Sequence, residues 1–194
     1  MIALPITVTI AGAEYPINTD FRAGLRFEEL LIEEEPPWDK ILQLYYPAGV
    51  PHNLEKALDN ILWFYRCGED ERKGGAGSNV RACDLNYDFR YIYAAFLEQY
   101  RIDLYEDDLH WWKFKALFDG LSDNCEICKI MQYRTADLKG MDKNEKSFYR
   151  KMKKQYALPA LKSEKQKERE DKISQILLNG GDLSGAAKRG EVEL

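Results

Sequence analysis

The sequence predicts a mainly α fold of one domain with a small N-terminal β-hairpin. Three observations carry that expectation. Residues 87–121 hold the densest aromatic run of the chain and a clean helical period. Stretches on both sides of it repeat apolar residues at spacings of three and four, which gathers them on one helix face. One β-branched run, Ile6–Ile10, stands near the N-terminus.

The elements follow in order. Ile6–Ile10, the turn signal Ala11-Gly12 and Glu14–Ile17 read as a hairpin. Two strands alone are marginally stable, so the hairpin is expected to lie on helices. Asn18 to Asp20 offer caps for a helix carrying Phe21, Leu25, Phe27, Leu30 and Leu31, closed by Glu33–Pro37. Trp38 to Tyr46 is a short helix with Trp38, Ile41, Leu42 and Tyr45 on one side. Asn53 caps the next, on which Leu54, Ala57, Leu58, Ile61, Leu62 and Tyr65 recur at helical spacing. Residues 68–86 are glycine-rich, charged and aperiodic, and read as a mobile loop.

Two helices then form the expected centre. On the first, Phe89, Ile92, Tyr93, Phe96, Leu97 and Tyr100 share a face. The second is expected over 107–120, with Asp103 as cap, Glu106 completing a capping box and Asp107 and Asp108 in the first turn. Its broad face carries Trp111, Phe114, Leu117, Phe118 and Leu121, and a second ridge carries Leu109, Trp112 and Ala116. Ser122 or Asp123 caps a helix through Met131 that ends near Tyr133-Arg134. Another helix covers about 142–156, with Phe148, Met152 and Tyr156 four apart, until Leu158-Pro159 stops it. The division expected is a helical domain over 1–160, then a charged helix at 163–178 and a disordered tail within 161–194.

The chain has 194 residues, 45% hydrophobic and 12% aromatic, enough for one buried core. A net charge of −5 argues against nucleic acid as partner. No apolar run is long enough to span a membrane, and the N-terminus lacks the basic and apolar regions of a signal peptide. Four cysteines in such a chain read as reduced thiols of a cytoplasm.

Candidate chemistry is sparse. Cys125 and Cys128 form a CxxC, but Cys67 and Cys83 do not form a second one, so core cysteines are favoured over zinc. His52 and His110 add little to a ligand set. His110 with Asp107 is weighed as an acid–base pair, and a satisfied, partly buried histidine is favoured. Asp107-Asp108 read as first-turn charges. Gly74–Ser78 lacks the lysine and the preceding strand of a phosphate loop. Lys151–Lys154 and the cations of 162–172 read as a solvated helix face. No catalytic residue, cofactor or metal is expected, and the chain is read as a non-enzyme.

Several strings resemble one family. They are Asp20-Phe21-Arg22, Phe64–Gly68, Tyr87-Asp88-Phe89, Ile92–Phe96, Tyr100, Ile102-Asp103-Leu104, Leu109-His110-Trp111-Trp112-Lys113-Phe114, Leu117, Met131 and Tyr133-Arg134. In order and across most of residues 1–160, they resemble the gene-product-fifteen family of tailed-bacteriophage and prophage proteins. Arg101 departs from the pattern, standing where a small turn residue is expected. Genes of this family typically lie between those of the major tail protein and the tape-measure protein, in phages of Gram-positive bacteria. The resemblance therefore implies a tail assembly chaperone in the host cytoplasm, with the tape-measure protein as partner and the major tail protein as a second. A minor tail or connector protein of the virion is the alternative. Tyr87, Asp88, Phe89, Tyr100, Asp103, His110, Trp111, Trp112 and Phe114 are expected to be structural. Ile173, Ile176, Leu177 and Leu178 are the candidate partner-binding patch, since the charged segment carries apolar residues only there. A homo-oligomer stays open.

Overall fold

A computed structural model describes residues 3–33, 35–69 and 80–159. The fold is mainly α, with one small hairpin. The hairpin pairs β1 (Thr7–Ile10) antiparallel with β2 (Ala13–Pro16), Val8 opposite Tyr15. Gly12, at φ +84°, supplies the left-handed turn that an L-residue adopts at a cost. Val8 and Ile10 turn inward, and β1 packs on a helix, as a lone hairpin must.

Seven helices follow among the described residues: α1 (Phe21–Leu31), α2 (Trp38–Tyr45), α3 (Leu54–Tyr65), α4 (Phe89–Tyr100), α5 (Trp111–Asp119), α6 (Glu126–Thr135) and α7 (Lys143–Gln155). The chain divides into two units, residues 1–30 with 37–158, and residues 31–36 with 159–194. The charged segment 163–178, the tail and Ile173, Ile176, Leu177 and Leu178 lie outside the described residues.

The caps explain where helices begin. Asp20 Oδ1 accepts the Arg22 N–H at 2.7 Å, and Asn53 accepts the Lys56 N–H at 3.1 Å. At α7, Asp142 and Glu145 make a reciprocal capping box. Arg101, at φ +59°, takes the left-handed position that ends α4, so the turn keeps its shape without a glycine.

Several expectations are corrected. The second central helix starts at Trp111, not 107. Asp103 closes a turn instead of capping a helix. Its Oδ1 accepts the Tyr105 N–H, Asp107 Oδ2 accepts the Asp103 N–H, and the Asp103 carbonyl accepts from Glu106 and Asp107. Arg22 then donates to the carbonyls of Leu104, Tyr105 and Asp107, so helical N–H groups do not take them. On α4 the buried residues are Ile92, Ala95 and Phe96, while Leu97 is exposed, because the helix packs on both α5 and α6. On α3, Phe64 is buried and Leu54 exposed. Trp38 opens α2 and is also exposed. Ser122 Oγ accepts the Asn124 N–H within a turn, leaving Cys125 at the start of α6, which runs past Arg134 to Thr135. Within the segment expected as a loop, residues 70–79 lie outside the described residues. Residues 80–86 are tied down: Leu85 is buried, and Asn86 Nδ2 donates to the Leu25 carbonyl at 3.0 Å.

Candidate functional site

The aromatic strings meet at Trp111. Its ring is buried and stacks between Tyr65 and Phe114, which in turn stacks on Phe21 and Phe96. Gly24 of α1 lies directly under the indole, and a Cβ there would collide with the ring. Trp111 Nε1 donates to the Tyr65 carbonyl at 2.8 Å, and Trp112 Nε1 donates to the Phe64 carbonyl at 2.7 Å. The last carbonyls of a helix lack intrahelical donors. Two successive indoles on α5 thus cap two successive carbonyls at the end of α3. Trp112 itself is half-buried, with Trp63 edge-on to it.

His110 holds the start of α5. Its Nδ1 accepts the Trp112 N–H at 3.0 Å, and its Nε2 lies 2.9 Å from the Pro5 carbonyl. A carbonyl only accepts and an amide N–H only donates, so the ring is the neutral Nε2–H tautomer. The flanking backbone forms an antiparallel bridge to Asp20: the Phe21 N–H donates to the Leu109 carbonyl and the Trp111 N–H to the Thr19 carbonyl. Both ring nitrogens are engaged and neither Asp107 nor Asp108 reaches the ring by a hydrogen bond. Tyr100 OH donates to the Leu117 carbonyl, joining α4 to α5.

The remaining strings build an ion pair. Asp88 and Arg134 join in a fork, at 2.6 and 2.8 Å, and both side chains are buried. Arg134 also donates to the carbonyls of Ala82 and Tyr156, and Asp88 accepts the Asp84 N–H. Burial pushes the Asp88 carboxyl up, but the bonds from Arg134 and Asp84 outweigh it and hold the group below the usual carboxylate range. Tyr87, beside it, is exposed, so it lies outside the core that its string was expected to fill.

Among the described residues, the nucleophilic and ionisable groups left over form no constellation. Burial, with the Cys125 thiol beside it, pushes Cys128 up to about 11, and burial raises Cys67 and Cys83 as well. A raised thiol pKa disfavours the thiolate, the form that acts as nucleophile. Among the described residues no three His, Cys, Asp or Glu are grouped to hold a metal ion. Tyr65 OH donates to Glu28 at 2.5 Å, and burial raises the Glu28 carboxyl. Tyr45 OH is buried without a hydrogen-bond partner. An open groove of about 450 Å³ runs past Tyr65, Cys67, Trp112, Lys115 and Asp119, and His110 does not line it.

Sequence reading missed Gly24 and the Asp88–Arg134 pairing. A glycine inside an otherwise good helix was the available signal for the first. No helix among the described residues is long and apolar enough to cross a membrane. No curated protein and no solved structure matches the chain. The profile of the Bacteriophage Gp15 protein family matches residues 2–158, which contain every string placed above, so the chain belongs to that family and is a phage-related structural or morphogenesis protein.

Proposed function

We propose that the protein is a non-enzymatic tail assembly chaperone, acting on the tape-measure protein in the host cytoplasm. Family membership supports a phage morphogenesis role. The observation that carries the non-catalytic part is how the polar motif groups are used. His110, Asp88, Arg134, both indoles and Tyr100 all hydrogen-bond to backbone or to each other across distant segments. A general base or nucleophile needs a group aimed at a cleft. These groups instead hold a frame, as a binding protein requires.

The reading implies grooves or an added helix to receive a long helical client. The test is co-expression with the tape-measure protein encoded nearby, with and without residues 160–194. Retention or solubilisation of that client by the full-length chain is the expected result, and its failure ends the chaperone reading. Equal activity after truncation keeps the reading and removes Ile173, Ile176, Leu177 and Leu178 as the binding element. Detection of the protein in purified mature particles would favour a minor tail or connector component instead.

A further inference from the structure

Helix α7 has no buried residue. It carries six cations and one acid, a net +5, on a chain whose total is −5, so the rest of the chain carries −10. Tyr149 and Tyr156 pack on Tyr133 of α6, and Lys153 Nζ donates to the Arg134 carbonyl. That fixes the inner side of the helix. By the 3.6-residue period, Lys143, Lys146, Arg150, Lys151 and Lys154 gather on the outer side, over about 16 Å of axis. None of the five is in an ion pair among the described residues. Phe148 stands at the edge of this face beside Lys151, edge-on to Tyr133 and 49% exposed.

A surface of opposite sign lies elsewhere on the chain. The turn at 103–108 presents Glu106, Asp107 and Asp108 around Tyr105, which is 64% exposed. Arg22 offsets it only in part, lying 3.9 Å from Asp108. Each surface thus has one exposed aromatic ring beside charges mostly of one sign. They do not meet within one copy. Tyr105 packs on Phe89 and Tyr93 of α4, whereas the Tyr156 carbonyl, just past the end of α7, accepts from Arg134, which holds Asp88 at the start of α4.

We propose that α7 docks on the 103–108 turn of a second copy, in a head-to-tail contact. Opposed charge would set the register and Phe148 against Tyr105 would form the drier centre. Such a contact uses two different patches, so it closes into a ring or continues as an open chain. Single exposed ion pairs are weak, so the association depends on the whole array and is sensitive to salt. Nucleic acid fits less well, because the acidic remainder repels the polyanion while it matches α7.

The experiment is sedimentation velocity on the full chain, at about 0.01 M and about 1 M salt, where screening lengths differ tenfold. Wild type associates with concentration at low salt and is monomeric at high salt. The triple reversal R150E/K151E/K154E and the double reversal E106K/D108K each weaken self-association roughly ten- to hundredfold. An equimolar mixture of the two reversed proteins restores association, since the unreversed helix of one fits the unreversed turn of the other and the two reversed faces are again opposite in charge. Thermal melts check that both variants fold. If either does not, the salt dependence of the wild type decides. A wild type that stays monomeric at low salt, an association indifferent to salt, or a mixture that does not pair overturns the proposal. So does a monomeric wild type whose α7 binds duplex DNA and loses it on reversal. Client retention is a separate readout, so this contact and the chaperone reading fail independently.

Discussion

The aromatic centre at Trp111 and the ion pair at Asp88 both join segments far apart in the chain, yet by opposite means. Trp111 places a large apolar surface between stacked rings and needs one hydrogen bond, to the Tyr65 carbonyl. Arg134 contributes little apolar surface and gathers one carboxylate and two carbonyls through four hydrogen bonds. The first gains from area removed from water and is indifferent to pH. The second holds together only while each polar group has its partner, because a buried charge left alone is costly. One part of the fold therefore depends on volume and the other on charge state.

The largest expected effect breaks the ionic side. Arg134→Ala leaves Asp88 charged and buried and is expected to cost about 3–5 kcal/mol, with about 1 kcal/mol more for each carbonyl left without a donor. Urea denaturation measures it, and a loss under about 1 kcal/mol would mean that water replaces the guanidinium. Trp111→Ala should cost about 3–5 kcal/mol by the same assay, equally at pH 5 and pH 8. Gly24→Ala presses on that ring from α1. Its methyl has no room, and overpacking of this kind costs about 1–3 kcal/mol.

Two titrations sharpen the contrast. Asp88 is held below the usual carboxylate range, so its contribution is complete above the unfolded pKa of about 4 and is lost as pH falls towards the depressed value. Asp88→Asn should flatten the acid limb of a stability–pH curve, whereas Trp111→Ala should leave that limb in place. Glu28 runs the other way. Burial raises its pKa, so folding favours its protonated form and stability falls as pH rises through the raised value. Glu28→Gln keeps an acceptor for Tyr65 and should change stability at pH 7 by about 1 kcal/mol or less, towards greater stability. A large loss instead would show that the ionised carboxylate is needed where it sits.

Local pattern was enough to locate the helices, because Ile41, Ala57, Ile61, Ile92 and Phe114 recur at the spacing that burial demands. It misplaced the start of α5 for a reason that no local window contains. Asp103 to Asp108 carry the acids of a helix start, yet Arg22, 82 residues before Leu104, takes the carbonyls. Histidine is also outside the usual set of capping residues, so His110 was read as part of a face and not as a helix cap. The Asp88–Arg134 pair spans 46 residues, and a sequence shows two charges without showing that they meet. The left-handed Arg101 is the reverse case. The turn was anticipated, and an unexpected residue adopts it.

The bridge between Asp20 and His110 has a consequence for the order of events during synthesis. Thr19 and Phe21 exchange backbone bonds with Trp111 and Leu109, and His110 reaches back 105 residues to Pro5. The hairpin and α1 are made first, but the ring that lies on Gly24 and the backbone that pairs with Thr19 are made more than a hundred positions into translation. At about 5–20 residues per second the nascent N-terminal segment waits roughly 4–20 seconds for its own core. Closing so long a loop also places this protein among the slower-folding helical chains. Phe21, whose stacking partner is Phe114, lacks that cover throughout the interval.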